Sequence, residues 1–103
     1  MSSWRSNFEA EIQLALSARA RGNEGQARVL ARRAAGIALR QYYGAGATPS
    51  AYDLLQKILA DDFAPAAARL AAQALTLRVD EKFSLPEKMD LIEQARLLAE
   101  ALH

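Results

Sequence analysis

The residues best suited to chemistry are arginines and a tyrosine between positions 32 and 43. Arg32, Arg33 and Arg40 would lie on one side of a helix, with Tyr43 close behind them. Guanidinium groups bind phosphate oxygens, and an aromatic ring can stack on a base. We therefore identify these four residues as a candidate ligand-binding face.

A second interpretation of this arginine face is structural. Together with Arg28, these arginines make four bases on one helix, which is also typical of a solvated surface. They could instead pair with acids of the second half of the chain, namely Asp80, Glu81 or Glu93. Surface pairs of this kind stabilise a protein only weakly.

Several other chemistries are excluded by composition. The chain has no cysteine and a single histidine, His103, so thiol nucleophiles and cysteine-based metal sites are absent. Gly44-Ala45-Gly46 lacks the Lys-Ser/Thr sequence of a phosphate-binding loop. The acids are scattered singly apart from Asp61-Asp62, whose adjacent side chains diverge on a helix. We expect neither a metal nor a cofactor.

Length and composition predict one globular domain over residues 1–103. Hydrophobic residues make up 51% and charged residues 24% of the chain, as in ordinary folded proteins. No apolar run is long enough to span a membrane, and the first residues contain no apolar signal core. We therefore expect a cytoplasmic protein without a membrane partner.

The balance of residue types predicts the fold class. Alanine occurs 23 times and leucine 15 times, whereas valine, isoleucine and threonine together occur only 8 times. Alanine and leucine favour helices, and β-branched residues favour strands. The prediction is an all-α protein, an antiparallel up-and-down bundle of four to five helices, with a helix content above roughly 70%.

Capping signals place the first two helices. The first is predicted over about residues 3–21 and ends at Gly22, which tolerates a left-handed conformation. Asn23 can cap the second helix, with Gln26 three positions later in a capping-box arrangement. This second helix is predicted to run to about Tyr43.

Proline and acidic residues delimit the next two helices. The third is predicted to start at Thr48 or Ser50, with Pro49 in its first turn, and to end at Asp61-Asp62. Acids are unfavourable at a helix C-terminus. We therefore expect these two aspartates to serve the start of a fourth helix, which runs from near Pro65 to about residue 81.

The last helix is predicted to begin at Ser84, with Pro86 and Glu87 completing its start signal, and to reach the end of the chain. Its apolar arc covers about 180°, wider than an ordinary surface helix needs. Such width indicates either a central position in the bundle or a contact between protomers. If the arc forms a contact between protomers, we predict a homodimer in which one flank of this helix is the contact surface. That flank consists of Leu91, Leu98 and Leu102.

Charge and helical periodicity complete the prediction. Residues 1–47 carry a surplus of four positive charges and residues 48–103 a surplus of three negative charges, an asymmetry that a two-fold dimer could exploit. One core cluster is predicted from apolar positions on four of the helices: Phe8, Ile12, Leu30, Ala34, Ala38, Leu70, Ala74 and Ile92.

Residues 18–43, ARARGNEGQARVLARRAAGIALRQYY, resemble the central hairpin of the HEPN superfamily, named for nucleotide binding in higher eukaryotes and prokaryotes. The family's alanine-rich run is matched by Ala31, Ala34-Ala35 and Ala38-Leu39, ahead of Tyr42-Tyr43. A tetratricopeptide repeat is the competing pattern. Its next copy would need small residues where Pro49 and Asp61 stand, so the period fails.

The resemblance implies a compact, usually dimeric helical bundle. Some HEPN proteins are metal-independent RNases, some partner a small nucleotidyltransferase, and others only bind. The RNases share an arginine followed, after four to six residues, by a histidine, which Arg96 and His103 match in form. Since a terminal residue tends to fray, the other interpretation is a histidine that complements the helix dipole.

We therefore predict a small HEPN-like binding or interaction module, associated with nucleotide or RNA and partnered by a nucleotidyltransferase, without catalysis of its own. Two alternatives stay open. One is an RNase that uses Arg96 and His103, and the other is a generic, tetratricopeptide-like helical adaptor.

Overall fold

A computed structural model describes residues 3–46, 48–77 and 90–103 of the chain. Five α-helices make up 78% of the described residues, and no strand occurs among them. The prediction of an all-α bundle is confirmed. The helices are α1 (Trp4–Ala20), α2 (Glu24–Tyr43), α3 (Ala51–Leu59), α4 (Ala66–Thr76) and α5 (Leu91–Leu102).

Short polar side chains begin four of the helices. Ser3, Asn23 and Asp90 each accept hydrogen bonds from free amides in the first turns of α1, α2 and α5. Ser50 forms a complete capping box with Asp53 at the start of α3. Pro49 therefore lies outside α3, before its capping residue, and not in the first turn as predicted.

Gly22 ends α1 as predicted, and Gly44 follows Tyr43, the predicted last residue of α2. Gly22 and Gly44 have φ angles of +79° and +63°, which side chains with a Cβ atom rarely adopt. The three residues between α1 and α2 reverse the chain, so these two helices form an antiparallel hairpin. This hairpin is the most extensive contact between helices in the fold.

The fourth helix differs from its predicted form. It begins after Pro65, whose side chain makes no capping hydrogen bond, and it ends at Thr76, before the predicted limit near residue 81. Leu77 is already extended. Asp61 does not serve the start of α4, because its carboxylate binds Tyr43 and the amide of Phe63.

The last helix starts at Leu91, several residues later than predicted. Asp90 caps the N-terminus of α5 and has an extended backbone conformation, so the helix begins after it. The predicted start signal at Ser84, Pro86 and Glu87 lies outside the described residues. So do Asp80 and Glu81, the predicted partners of the arginine face.

Each helix packs against the next along the chain, and α5 returns to pack on α2. Helix α2 thus contacts α1, α3 and α5, and it is the central helix of the bundle. Its buried residues are mostly alanines, which allow close approach of neighbouring backbones. One close approach is at Gly36, where an added Cβ atom would lie 2.8 Å from the Cβ of Ala51 at the start of α3.

Six of the eight predicted core residues belong to one buried cluster. Leu70 is wrong, because 65% of its surface is exposed. Ala74 is buried but lies outside the cluster. The residues of α4 in the cluster are instead Ala68, Ala71, Ala72 and Leu75. The prediction failed because alanines occur on every side of this helix, so the sequence does not indicate which side is buried.

The predicted dimer flank of α5 is covered by the chain itself. Leu91 and Leu98 are buried in the core, and Leu102 packs against it. The prediction that these three leucines form a protomer contact is therefore wrong. The wide apolar arc of α5 is explained by its contacts with α2 and α4 within one molecule.

None of the helices in the described ranges combines the length and apolar character that crossing a membrane requires.

Candidate functional site

The predicted arginine face of α2 does not form one free surface. Arg32 lies against the C-terminal end of α4, where its Nε donates to the carbonyl of Leu75 at 2.8 Å and its Nη2 to that of Leu77 at 3.2 Å. Carbonyl groups at a helix end lack partners within the helix and carry partial negative charge. Arg32 therefore caps α4, and its burial lowers the pKa of its guanidinium.

Arg33 and Arg40 point to different neighbours. Arg33 is mainly exposed and forms an ion pair of 3.3 Å with Glu11 of α1. Arg40 donates from Nη2 to the carbonyl of Pro49 at 2.9 Å, which fixes the segment before α3. Arg40 pairs with no carboxylate among the described residues, and its buried Nε has no hydrogen-bond partner there.

Tyr43 is a structural anchor. Its hydroxyl donates to Asp61 at 2.7 Å, and the Lys57 ammonium lies 4.6 Å from the centre of its ring. Burial, reinforced by Asp61, raises the pKa of the Tyr43 hydroxyl. The same hydrogen bond lowers the pKa of Asp61. Tyr43 thereby joins the end of α2 to the loop after α3.

His103 is held firmly in place at the end of α5. Its backbone amide donates to Ala99, and its ring Nε2 lies 3.1 Å from the carbonyl of Ala38. Because a carbonyl only accepts, Nε2 carries the hydrogen in this contact. The ring centre of His103 lies 4.3 Å from that of Trp4 and 6.3 Å from that of Tyr42.

Arg96 is engaged with α1. Its guanidinium makes two hydrogen bonds to Glu9, of 2.9 Å and 3.1 Å. This bidentate pair lowers the pKa of the Glu9 carboxyl and raises that of Arg96. Arg96 therefore fastens α5 to α1, although it also borders a pocket beside Trp4.

Trp4 stands between two pockets at one end of the bundle. The first, with a volume of about 450 Å³, lies between α1 and α5. Its charged residues are two arginines and two glutamates, so their formal charges cancel: Arg5, Glu9, Arg96 and Glu100. Because the positive and negative charges balance, this pocket does not attract an anion electrostatically.

The second pocket beside Trp4, the α2 pocket, has a different character. It measures about 400 Å³ and is lined by Trp4, Asn7, Ile37, Arg40, Gln41, Gly44 and Ala45. Arg40 is the charged member of this lining, and no carboxylate of the described residues joins it. The pocket thus combines an indole ring, two amide side chains and one cation.

The structure brings together three of the predicted site residues and separates the others. Arg40, Arg96 and His103 all surround Trp4, whereas Arg32, Arg33 and Tyr43 serve contacts between helices. Sequence reasoning missed Trp4, Asn7 and Gln41 as site residues. The single tryptophan at the start of a helix, with Asn7 one turn later, could have indicated the first two of these residues, but no sequence signal points to Gln41.

Among the described residues, no group of three or more histidine, aspartate or glutamate side chains is placed to hold a metal ion.

Comparison with known proteins found no match to any family model, to any curated protein or to any solved structure.

Proposed function

We propose that this chain is a HEPN-like binding module, without catalysis of its own, that takes a nucleotide or an RNA base in the α2 pocket. The observation that carries the proposal is the composition of this pocket. It places the Trp4 ring, the amides of Asn7 and Gln41, and the Arg40 guanidinium around one space of about 400 Å³.

Each of these groups suits one part of a nucleotide. An indole ring stacks on a base, and stacking contributes about 1–3 kcal/mol per base. The His103 ring and the Arg5 guanidinium lie 4.3 Å and 4.6 Å from the centre of the Trp4 ring, so a stacked base would displace one of them. Asparagine and glutamine amides both donate and accept, as the edge of a base requires. Arg40 supplies positive charge for a phosphate.

The HEPN resemblance supports the same ligand class. The segment that carries the resemblance, residues 18–43, forms the end of α1 and the whole of α2, and the end of α2 lines one side of the α2 pocket. The resemblance also implies a small nucleotidyltransferase as a partner protein. A nucleotidyltransferase gene beside the gene of this chain, and co-purification of the two products, would test that partner.

Trp4 allows a direct test, because it is the single tryptophan of the chain. Its fluorescence is followed while each of the four ribonucleoside monophosphates, or a short single-stranded RNA, is added. We expect saturable quenching. Gln41→Ala should weaken binding about tenfold, because it removes one amide contact from the pocket.

The matched control is Gln56→Ala, which removes an exposed glutamine on α3 away from the pocket. It should bind as the wild type does. Unchanged fluorescence with every ligand, or equal effects of Gln41→Ala and Gln56→Ala, would contradict the proposal.

The second candidate function is an RNase that uses Arg96 and His103. The observation in its favour is that Trp4 contacts the His103 ring and shares a pocket with Arg96. Two contacts argue against it. The Arg96 guanidinium already donates two hydrogen bonds to Glu9, and Nε2 of His103 is already bonded to the carbonyl of Ala38. Metal-free RNA cleavage that disappears in His103→Ala would establish this candidate in place of the first.

A generic helical adaptor is the remaining alternative. It predicts no effect of nucleotides or RNA on Trp4 and no RNA cleavage, together with binding to another protein. The fluorescence titration and the cleavage assay therefore distinguish all three candidates.

A further inference from the structure

Opposite charges bind α1 to α5 at two levels. Near the end of α1, Arg19 lies 3.1 Å from Asp90, the residue that caps the start of α5. Toward the start of α1, Glu9 accepts two hydrogen bonds from Arg96, which lies further along α5. The order of these contacts shows that α1 and α5 run antiparallel.

A third pair of opposite charges follows from this arrangement, but it is not closed. Arg5 lies one turn before Glu9 on α1, and Glu100 lies one turn after Arg96 on α5, so both belong to the same level of the bundle. Both side chains are exposed, and neither takes part in an ion pair within the described part of the chain. Instead, both line the pocket of about 450 Å³ between the two helices.

Aromatic rings form an apolar wall of this pocket, which we call the α5 pocket. Trp4 and Phe8 meet edge to face, with their ring centres 6.2 Å apart, and Ala99 adds apolar surface from α5. The Cζ atom of Arg5 lies 4.6 Å from the centre of the Trp4 ring, so this cation is held beside the wall. The volume is within the roughly 300–1,000 Å³ of small-molecule sites.

The charges of the α5 pocket restrict what can bind there. Arg96 and Glu9 already satisfy each other, so a ligand gains little from them. Arg5 and Glu100 are left as two opposite charges without partners among the described residues. A ligand that matches them carries one negative group, one positive group and no net charge.

We propose that the α5 pocket binds a free α-amino acid with an aromatic or large aliphatic side chain. Arg5 binds its carboxylate, Glu100 binds its ammonium group, and its side chain packs on Trp4 and Phe8. Hydrogen bonds between charged groups are about twice as strong as neutral ones. An anionic nucleotide matches Arg5 but is repelled by Glu100.

This site is distinct from the α2 pocket. Trp4 is the residue that the two linings share, and the charged residues of the α5 pocket do not line the α2 pocket. The inference therefore does not depend on nucleotide binding. Because the ligand is small and both charges are exposed, we expect a dissociation constant on the order of 1 mM.

A titration of isotope-labelled protein with L-phenylalanine, followed by NMR, tests the proposal. The indole N–H signal of Trp4 reports on the pocket, since Trp4 is the single tryptophan of the chain. This signal should shift and saturate. N-acetyl-L-phenylalanine, which lacks the ammonium group, and L-phenylalaninamide, which lacks the carboxylate, should each bind about tenfold more weakly.

Substitutions assign each charge of the ligand to its residue. Glu100→Gln should weaken phenylalanine binding about tenfold but leave N-acetylphenylalanine binding unchanged, because that derivative has no ammonium group to lose. Arg5→Gln should likewise weaken phenylalanine binding and leave phenylalaninamide binding unchanged. Both variants should fold normally, because neither residue belongs to the core.

The matched control is Glu93→Gln, which removes the same charge from an exposed position of α5 two turns away from Glu100. It should bind phenylalanine as the wild type does. The proposal would be overturned by a Trp4 signal that phenylalanine does not shift, or by equal binding of phenylalanine and its two derivatives. Equal effects of Glu100→Gln and Glu93→Gln would overturn it as well.

Discussion

Gly36 is a residue of α2 at which the start of α3 lies very close. A Cβ atom there would lie 2.8 Å from the Cβ of Ala51 and 3.2 Å from its Cα. The second distance involves backbone, so no side-chain rotation can relieve it. Glycine is accordingly required at this position by the approach of α3 and not by any unusual backbone angle.

Replacing Gly36 with alanine should therefore destabilise the protein. A helical Gly→Ala change ordinarily adds up to about 1 kcal/mol of stability, but the forced separation of α2 and α3 should outweigh this gain and give a net loss of about 1–3 kcal/mol. Urea denaturation measures the effect.

Gly25→Ala is the matched control in the same helix. The nearest atom to a Cβ at Gly25 is 3.9 Å away, so only the propensity gain applies and stability should rise slightly. Equal effects of the two substitutions would mean that α3 does not press on α2 at Gly36.

At the scale of elements, one arginine couples α2 to α4. Arg32 is the residue through which the central helix satisfies the free carbonyls at the end of α4. Arg32→Met keeps the apolar stem and removes both hydrogen bonds. We expect a loss of about 1–3 kcal/mol in free energy of unfolding, because charged donors to buried or half-buried carbonyls are among the stronger hydrogen bonds.

Arg33→Met is the neighbouring control. Arg33 is 60% exposed, and its ion pair within the described part of the chain is with Glu11, so its loss should change stability by less than about 1 kcal/mol. If Arg33→Met were as destabilising as Arg32→Met, capping of α4 by Arg32 would not be the cause.

The start and end of a helix could be predicted from the sequence more accurately than the side of the helix that is buried. Asn23, Gly22 and Gly44 act through local backbone geometry, so the caps and ends of α1 and α2 could be predicted correctly. The role of Arg32 could not, because the carbonyls that it binds, those of Leu75 and Leu77, are 43 and 45 residues away in the chain. No local pattern records which distant helix end will reach this side of α2.

The candidate site was predicted only in part for a related reason. Arg40 was identified from its charge, and it does line the α2 pocket. Asn7 and Gln41 lie on different helices and have no spacing pattern between them. Only the antiparallel hairpin brings the start of α1 beside the end of α2.

At the scale of the whole molecule, ion pairs fasten the helices at separate points. Arg96 joins α5 to Glu9 of α1, and Arg19 joins Glu24 of α2 to Asp90 before α5. Hydrogen bonds from the arginines hold the pKa of both glutamates below the ordinary value of 4.5. The folded state therefore binds these protons less readily than the unfolded chain does.

The stability that these ion pairs contribute should decrease in acid. These pairs contribute their full stability above the unfolded pKa and lose it as the pH falls through the lowered folded values, within about pH 5 to 2. Glu9→Gln should therefore be less stable than the wild type at neutral pH, and the difference should shrink in acid. Thermal unfolding at several pH values measures this.

Glu100→Gln, an exposed change on α5, is the control and should differ little from the wild type at any pH. A Glu9→Gln deficit that persists unchanged at pH 2 would contradict the ion-pair explanation.

Because α5 is buried on one side within a single chain, substitutions on its two sides should affect stability very differently. Leu98 is completely buried within one chain, whereas its neighbour Leu97 is 41% exposed. Leu98→Glu should cost on the order of 3–5 kcal/mol and abolish cooperative unfolding, since it places a charge in an apolar core. Leu97→Glu should leave the fold intact.

Circular dichroism during denaturation distinguishes these two variants. A folded monomer of Leu98→Glu would restore the rejected interpretation of this flank as a protomer contact.

The core itself consists mainly of alanine, with thirteen alanines among its 24 described residues. Alanine has no side-chain torsion to order on folding, so the core forms at little cost in side-chain entropy. The same property removes its capacity to adapt, because an alanine cannot change rotamer to fill a gap or admit a larger neighbour. Substitutions along α2 should therefore be accommodated by displacement of whole helices, and a change of volume at one level of the bundle should be felt along its full length.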